Sequence, residues 1–313
     1  MSTVELSQFI RTSAKNLGFS KMGIAPATAK QQSANRLDSW LQKGYHSTMQ
    51  WMEKRADERG DIGKYYPEAK SVISLGLNYF TGNASPHPDV GKISNYAWGD
   101  DYHDLIKSRL YNLLGEIKYK YPKINGIACV DTSPIMEKDW AQRAGLGWVG
   151  KHTNLITRDY GSWIFLGELV LDVKLEYDTP FEDDLCGTCT ACLDACPTNA
   201  FPEPYVLDSN KCISYLTIEH RGDLPAELED KLSGWIYGCD ICQEVCPWNI
   251  KFPQNSNEDC WQPRSNLNNR AINEWKGLTE DEYRKLFKGS AVKRAKYKGL
   301  MRNINHYKLQ SKN

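Results

Sequence analysis

The first 175 residues alternate segments of helical and of strand periodicity. Apolar residues recur at three- and four-residue spacing in four segments, three of which precede a glycine, and this spacing predicts amphipathic helices. These segments are 4–17, 30–43, 105–117 and 135–144. Runs of apolar and β-branched residues predict strands. They are 19–25, 71–79, 127–131, 153–157 and 162–173. The mixture predicts an α+β protein whose first domain is of α/β type.

Three shorter helical patterns lie outside this series. They are 51–55, 271–276 and 279–287. The first is amphipathic, and its pattern alone predicts a helix that packs Trp51 and Met52 into the core. The third opens with Thr279 and has Glu282 three residues later, which predicts a capping box at its N-terminus.

The glycine-rich segment 145–151 formally fits the dinucleotide-binding pattern G-x-G-x-x-G. It follows a predicted helix and leads into a predicted strand, whereas the dinucleotide motif lies between a strand and a helix. A phosphate loop is excluded as well, because the four-residue spacer and the Ser or Thr after the lysine are missing. The segment therefore predicts no nucleotide-binding loop.

Cysteine spacing gives the strongest chemical signal in the chain. Eight of the ten cysteines lie between Cys186 and Cys246, in two runs that each end in Cys-Pro. The first run is C-x2-C-x2-C-x3-C-P, and the second, after Cys212, is C-x2-C-x3-C-P. This spacing is typical of two cubane iron–sulfur clusters, in which the last cysteine of each run ligates the other cluster. The predicted ligand sets are Cys186, Cys189, Cys192 and Cys246 for one cluster, and Cys196, Cys212, Cys239 and Cys242 for the other.

Zinc sites and disulfides are the alternatives to iron. Zinc motifs normally contain separated C-x2-C pairs, so three cysteines at consecutive x2 spacing favour iron. Disulfides are less favoured because residues 1–18 interleave charged and apolar side chains and do not read as a signal peptide, so a reducing cytosol is expected. Cys129 and Cys260 lie outside the two sets and have no predicted role.

Charge is balanced overall and uneven locally. Lys plus Arg and Asp plus Glu each number 39. Residues 284–313 nevertheless hold ten basic residues and no acid, whereas residues 176–184 hold five acids and no base. Charge alone leaves a solvated tail and an anion-binding surface equally open. The longest apolar runs, such as 163–171, are too short for a membrane span.

A carboxylate at a strand end is the candidate for catalysis. Two clusters carry electrons singly, and the 175 residues ahead of them exceed what an electron carrier needs, so they predict a site where the electrons are used. A reductive elimination or deoxygenation also needs a proton donor for the departing oxygen. Asp131 ends a predicted strand, and a carboxyl desolvated in a pocket stays protonated near neutral pH. The following Thr-Ser-Pro equally suits a turn or helix N-cap, which the pattern alone favours.

Five motifs in order resemble the epoxyqueuosine reductase family. They are Tyr96–Gly99 with Asp101–His103, Val130–Pro134 with Glu137, Ala144–Lys151, Cys212–Glu219 and Gly238–Asn249, and the similarity runs from about residue 5 to Asn303. The resemblance implies a cobalamin-dependent iron–sulfur enzyme. Such an enzyme reduces epoxyqueuosine to queuosine at the wobble position of tRNAs with a GUN anticodon, those for Asn, Asp, His and Tyr. The conversion uses two electrons and two protons and releases water.

The resemblance also implies site residues. Asp131 matches the family's proposed proton donor. The implied cobalamin contacts are Arg55, Ala97, Asp131, Lys151, His152 and Leu155, with Ser214 and Thr217 near the corrinoid and substrate. No His ligand to cobalt is implied, and the D-x-H-x-x-G motif of His-ligated corrinoid proteins is absent. The basic segment 287–303 matches the region that approaches tRNA. Its predicted phosphate contacts are Lys293, Arg294, Lys296, Lys298 and Arg302.

The sequence therefore predicts three regions. They are a cobalamin-binding catalytic domain (1–175), a ferredoxin-like domain with two 4Fe-4S clusters (176–255) and a basic helical tail that contacts tRNA (256–313). The expected protein is a cytoplasmic monomer without membrane contact that depends on a low-potential electron donor. Two alternatives stay open: another corrinoid iron–sulfur reductase such as a cytosolic reductive dehalogenase, and a cluster-bearing electron-transfer or RNA-binding module without catalysis.

Overall fold

The structure is a computed structural model that describes residues 2–85 and 87–307. Its helices are α1 (Thr3–Asn16), α2 (Gln31–Gln42), α3 (Gln50–Lys54), α4 (Ala56–Gly60), α5 (Ile62–Tyr65), α6 (Tyr102–Lys120), α7 (Glu137–Arg143), α8 (Ala191–Asp194), α9 (Ile213–Ile218), α10 (Ile241–Glu244), α11 (Pro247–Lys251), α12 (Ile272–Lys276), α13 (Glu280–Leu286) and α14 (Lys296–Asn305). Its strands are β1 (Lys21–Pro26), β2 (Ser71–Asn78), β3 (Lys92–Ile93), β4 (Gly126–Cys129), β5 (Trp148–Val149), β6 (Leu155–Ile156), β7 (Ile164–Leu171) and β8 (Trp235–Tyr237).

Four strands form the central sheet in the order β1-β2-β7-β4. The middle strands β2 and β7 are buried at all eight of their positions, which explains their nearly continuous apolar, β-branched sequences. The strands predicted at 71–79 and 162–173 and the α+β class are confirmed. Every neighbouring pair in this sheet is antiparallel, so it lacks the parallel pairing of an α/β domain.

Helices cover both faces of this sheet. On one face, α1 and α6 pack Ile10 and Leu113 against Leu169 of β7. On the other face, α7 packs Trp140 against Val170. Because side chains alternate along a strand, Glu168 points to the same face as Val170, the face that α7 covers.

A second hydrophobic core joins distant parts of the chain. It brings Trp98 from the first region together with Ile236 of the cluster region and Trp275 and Phe287 of the C-terminal helices. The segment after residue 255 is therefore packed against the rest of the protein. The domain boundaries stay predictions, and residues 308–313 of the predicted tail lie outside the described residues.

Three local predictions have different outcomes. The capping box of Thr279 and Glu282 is confirmed. The strand predicted at 153–157 shrinks to the two residues of β6, because Thr153 adopts a φ of 66° in the turn ahead of it. The burial predicted for Trp51 is wrong: its side chain is 42% exposed on α3, a helix without a buried residue. Among the described residues, no helix has both the length and the apolar character to cross a membrane.

Candidate functional site

Asp131 lies in a tight turn just past the end of β4. Its φ of 30° is in the left-handed region, which non-glycine residues seldom adopt and which is often found at functional sites. The backbone N–H of Asp131 donates a 2.6 Å hydrogen bond to the carboxylate of Glu137, the first residue of α7. The side chain of Asp131 is 53% exposed, so its carboxylate is accessible to a ligand.

His103 connects two aspartates at the start of α6. Asp101 is the N-cap of this helix and accepts a hydrogen bond from the backbone N–H of His103. The imidazole Nδ1 lies 2.7 Å from Asp101 Oδ1, and Nε2 lies 2.9 Å from Asp131 Oδ2. Tyr102 stacks on the His103 ring with centroids 4.0 Å apart. The imidazole is therefore fixed between two carboxylates.

The shared proton belongs to His103 near neutral pH. Burial lowers the pKa of His103, but the hydrogen bonds and charges of Asp101 and Asp131 outweigh it and raise the pKa to about 9. Burial likewise acts to raise the pKa of Asp131, but the hydrogen bond and charge of His103 hold that pKa below its usual value. The expectation that Asp131 itself stays protonated is wrong, because it treated the carboxyl as having no basic partner.

Two further carboxyl groups, those of Glu137 and Glu168, lie on the face of the sheet that α7 covers. Burial, reinforced by the charge of Asp131, raises the pKa of Glu137 to about 8. Glu168 is fully buried, and neither of its carboxyl oxygens has a hydrogen-bond partner in the described part of the chain. Burial and then the charge of Glu137 raise the pKa of Glu168 well above its usual value. Burial therefore favours the protonated form of both carboxyl groups.

The structure gathers the first predicted cysteine set around a cavity. Cys186, Cys189, Cys192 and Cys246 line a volume of about 160 Å³, together with Lys151, His152 and Trp248. Within residues 2–85 and 87–307, no three His, Cys, Asp or Glu side chains converge on a position for one metal ion. Each cubane cluster requires four thiolates around a cube of irons rather than around a single ion. The donor set and the cavity fit such a cluster.

The second predicted set is held together by α9 and α10. Burial raises the pKa of Cys239 and Cys242 well above the usual thiol value, and the nearby thiolates of the same set add to this effect. Burial also raises the pKa of Cys212, with a further contribution from Cys196. The thiolate forms of Cys212, Cys239 and Cys242 are thus unfavourable without a positively charged partner, which iron supplies. The second set therefore also fits a cluster.

Lys138, which the sequence did not single out, lies between the second cysteine set and Asp131. Its ammonium donates hydrogen bonds of 3.0 Å to the carbonyl of Thr153 and to Asn154 Oδ1. Burial is the largest influence on its pKa, which is lowered, and the charges that act on it are those of Glu137, Cys242, Asp131 and Cys212. The side chain is nevertheless exposed. Lys138 is thus an exposed cation whose pKa is affected by the charges of both the proton site and the second cysteine set.

The predicted cobalamin contacts differ in whether their side chains are free to bind a cofactor. Lys151 donates to the carbonyls of Gly187 and Cys189 at 2.6 and 2.9 Å, so its ammonium holds the first cysteine loop instead of a cofactor. Thr217 is fully buried, donates to Ile213 and accepts from the Gly238 N–H. Both side chains bond to the protein itself, so a contact of Lys151 with the cofactor would be made by its backbone or by packing, and Thr217 stays a residue predicted to lie near the corrinoid.

The other predicted contacts lie around the same region. His152 is buried and its Nε2 has no partner among the residues that the structure describes, while burial and then Lys138 lower its pKa to about 4. It is therefore neutral, with a free polar atom. Ser214 is half-buried at the start of α9, and Ala97 and Leu155 are buried in hydrophobic cores. Arg55 is exposed and pairs with Glu58.

Most of the predicted phosphate contacts form an exposed basic surface. They are Lys293, Arg294, Lys296 and Lys298. Arg294 makes a bidentate pair with Glu219 at 2.7 Å, and its charge acts on Asp131, so this surface adjoins the proton site. Arg302 differs from these four residues. Its guanidinium donates to the carbonyls of Leu216, His220 and Gly222, which leaves it a structural role.

Two family models match the chain. A model described as 4Fe-4S double cluster binding domain matches residues 185–249. A model described as epoxyqueuosine reductase QueG, DUF1730, matches residues 59–132. The first contains both cysteine sets, and the second ends one residue after Asp131.

Relatives named epoxyqueuosine reductase align over nearly the whole chain. One from Cellulophaga algicola is 45% identical over 302 residues, which are 96% of this chain and 98% of the relative. One from Synechocystis is 48% identical over 286 residues, 90% of this chain and 98% of the relative. A crystal structure of epoxyqueuosine reductase with an epoxyqueuosine-modified tRNA-Tyr stem loop superposes with a TM-score of 0.90. It is 29% identical and covers 99% of this chain and 84% of that one.

Proposed function

The chain belongs to the epoxyqueuosine reductase family, and we propose that it removes the epoxide oxygen of epoxyqueuosine in tRNA, with Asp131 as the group that protonates this oxygen. The observation that carries this proposal is the contact of 2.9 Å between Asp131 and the protonated His103. The pKa of the nearby Lys138 is affected by the charges of both Asp131 and Cys242 of the second cysteine set. This supports a proton source and an electron source that serve one site.

The reaction turns an epoxide into an alkene, takes up two electrons and two protons, and releases water. The two cysteine sets hold 4Fe-4S clusters, each of which carries one electron. Bound cobalamin supplies the two-electron chemistry at carbon that the clusters lack. Ser214 and His152 would contact it through their side chains, near Lys138. The other predicted contacts act there by backbone or packing. They are Ala97, Lys151, Leu155 and Thr217, with Arg55 at the rim.

The aspartate and histidine deliver the protons. His103 donates from Nε2 to Asp131 Oδ2, while Asp101 fixes the ring through Nδ1. Asp131 passes a proton to the departing oxygen and takes one from His103, which leaves a neutral imidazole beside a carboxylate. Solvent then returns a proton to His103, and the second proton follows the same route to complete the water molecule.

The partners are part of the same proposal. The exposed residues Lys293, Arg294, Lys296 and Lys298 bind phosphates of a tRNA with a GUN anticodon. A low-potential donor supplies the electrons, and the chain acts in the cytoplasm as a monomer. The support for tRNA is the position of the basic surface next to Asp131, together with the modified tRNA stem loop in the crystal structure of the relative.

One experiment tests the function. The protein is reconstituted without oxygen with iron, sulfide and cobalamin, then incubated with epoxyqueuosine-containing tRNA and a low-potential reductant, and its nucleosides are analysed by mass spectrometry. We expect queuosine to form only with cobalamin, to be lost in Asp131→Asn, and to persist in Asp159→Asn, an aspartate paired with Lys21 at the surface. Failure to convert, with both clusters and cobalamin retained, contradicts the proposal. Halide release from a halogenated substrate would then favour the dehalogenase alternative.

A further inference from the structure

Trp51 is a large, exposed aromatic side chain that has no role in the proposed mechanism. It lies on α3 and is 42% exposed, although exposed indole surface is unfavourable in water. The guanidinium of Arg59 lies over the indole, 5.3 Å from the ring centroid. Arg59 is itself buried and donates to the carbonyl of Ser133, in the turn that contains Asp131. The indole is thus held in place by a residue anchored beside the proposed proton donor.

The indole forms part of a pocket with two different walls. The pocket has a volume of about 410 Å³. One part of its lining, the aromatic wall, consists of Thr48, Met49 and Trp51, and the other part, the basic wall, of Glu219, Arg221, Lys293, Arg294 and Lys296. The volume suffices for a nucleotide, and an aromatic side chain together with basic ones is the combination that binds the base and the phosphate of single-stranded nucleic acid.

Both walls adjoin the reaction site. Arg59, which supports the indole, donates to Ser133 in the turn of Asp131, and the charge of Arg294 in the basic wall helps to lower the pKa of Asp131. The pocket therefore adjoins the turn that contains the proposed proton donor. A nucleotide bound with its modified base at Asp131 would place a neighbouring nucleotide at the pocket.

We propose that Trp51 is the stacking platform for an anticodon base next to the modified nucleotide of the bound tRNA. The lysines of the basic wall bind the phosphates of the same nucleotides. This inference rests on the proposed function, because it takes a modified tRNA as the substrate. A stack of this kind reads the flat face common to all bases, so it positions the anticodon without selecting its sequence.

A double-mutant cycle tests the stack. The binding partners are epoxyqueuosine-containing anticodon stem loops, either intact or with one abasic nucleotide on the 5′ or the 3′ side of the modified one. We expect Trp51→Ala to weaken binding of the intact stem loop by about 5- to 150-fold. An abasic nucleotide on one side should weaken binding to the wild type by a similar factor and weaken binding to Trp51→Ala no further. Trp51→Tyr should retain most of the affinity.

The controls separate stacking from other roles. Tyr119→Ala, which removes an aromatic side chain that is 92% exposed on α6, should bind like the wild type. Independent losses for Trp51→Ala and both abasic stem loops, or equal affinity of Trp51→Ala and wild type, overturn the inference. Loss of corrinoid from Trp51→Ala also overturns it, because the indole would then belong to the cofactor site. A wild-type protein that binds the stem loop without converting it contradicts the proposed function alone.

Discussion

The two cysteine runs have similar spacing, but the two ligand sets that they supply have different surroundings. In the first set, Cys189 is exposed, and Lys151 ties its loop down beside a cavity. In the second set, burial raises the pKa of Cys239 and Cys242, and Lys138 connects the set to Asp131. We therefore expect the first set to be the more accessible to an electron donor and the second to be the nearer to the site of reduction. Similar cysteine spacing can therefore serve either entry or delivery of electrons, depending on the residues packed around each cluster.

The largest expected difference comes from removing one ligand of each set. Cys189→Ala and Cys242→Ala should each lose about half of the bound iron, because each removes one ligand of a four-iron cluster. With a small chemical reductant, Cys189→Ala should retain measurable conversion of epoxyqueuosine, whereas Cys242→Ala should retain none. Iron analysis and nucleoside mass spectrometry measure the two effects. Cys260→Ala, outside both sets, should keep all its iron, and the reverse order of activities would refute the assignment of direction.

The next prediction concerns Asp131, near the second cysteine set. Asp131→Asn should lower conversion by about 10²- to 10⁴-fold while iron and corrinoid contents stay unchanged, because only proton delivery is lost. Single-turnover kinetics with reduced enzyme measure this effect. Loss of iron or corrinoid in the variant would instead indicate a structural role for Asp131.

The raised pKa of His103 predicts how the rate of conversion depends on pH. The pKa of His103 is raised to about 9, so its proton is present below this pH and lost above it, and wild-type conversion should fall as the pH rises through about 9. In His103→Gln, Asp131 has to carry the proton itself, and the alkaline limit should move to lower pH. A pH profile of single-turnover rates decides this, and an unchanged alkaline limit would exclude His103 as the proton source.

Substitution of Lys151 should weaken the first cysteine set and leave the proton site unchanged. Lys151→Met removes two hydrogen bonds from a buried ammonium to the loop of Cys189, so the melting temperature should fall by about 3–8 °C. About half of the iron should also be lost faster to a chelator, while the alkaline limit of activity stays in place. Lys174→Met, at an exposed lysine, is the matched control. A shift of the alkaline limit would mean that the two regions are not independent.

The smallest effect is expected at Glu168, behind the proton site. Its folded-state pKa lies well above the unfolded value, so the folded protein binds more protons, and this carboxyl makes stability decrease as the pH rises above about 4.3. Glu168→Gln cannot ionise, so its melting temperature should rise relative to wild type between pH 5 and 8. Thermal scans across this range measure the difference. A difference that is constant with pH would show that Glu168 does not ionise on unfolding in this range.

The features that the sequence predicted well are those coded by short spacing. The cysteine runs, the strands β2 and β7 and the capping box at Thr279 each depend on residues a few positions apart. Their physical causes, thiolate geometry, two-sided burial and a local hydrogen bond, act within one segment. Such features are readable without knowing the fold.

The sequence by itself determined the number and type of clusters and the candidate proton donor. The tertiary structure decided how they work. His103 and Asp131 lie 28 residues apart, and their contact lowers the pKa of the aspartate and moves the proton to the histidine. Folding also turned Arg302 inward toward three carbonyls and left Trp51 exposed, against the pattern of their own segments. The reason is that burial and charge at a side chain are set by residues distant in the chain, and spacing within a segment carries no information about them.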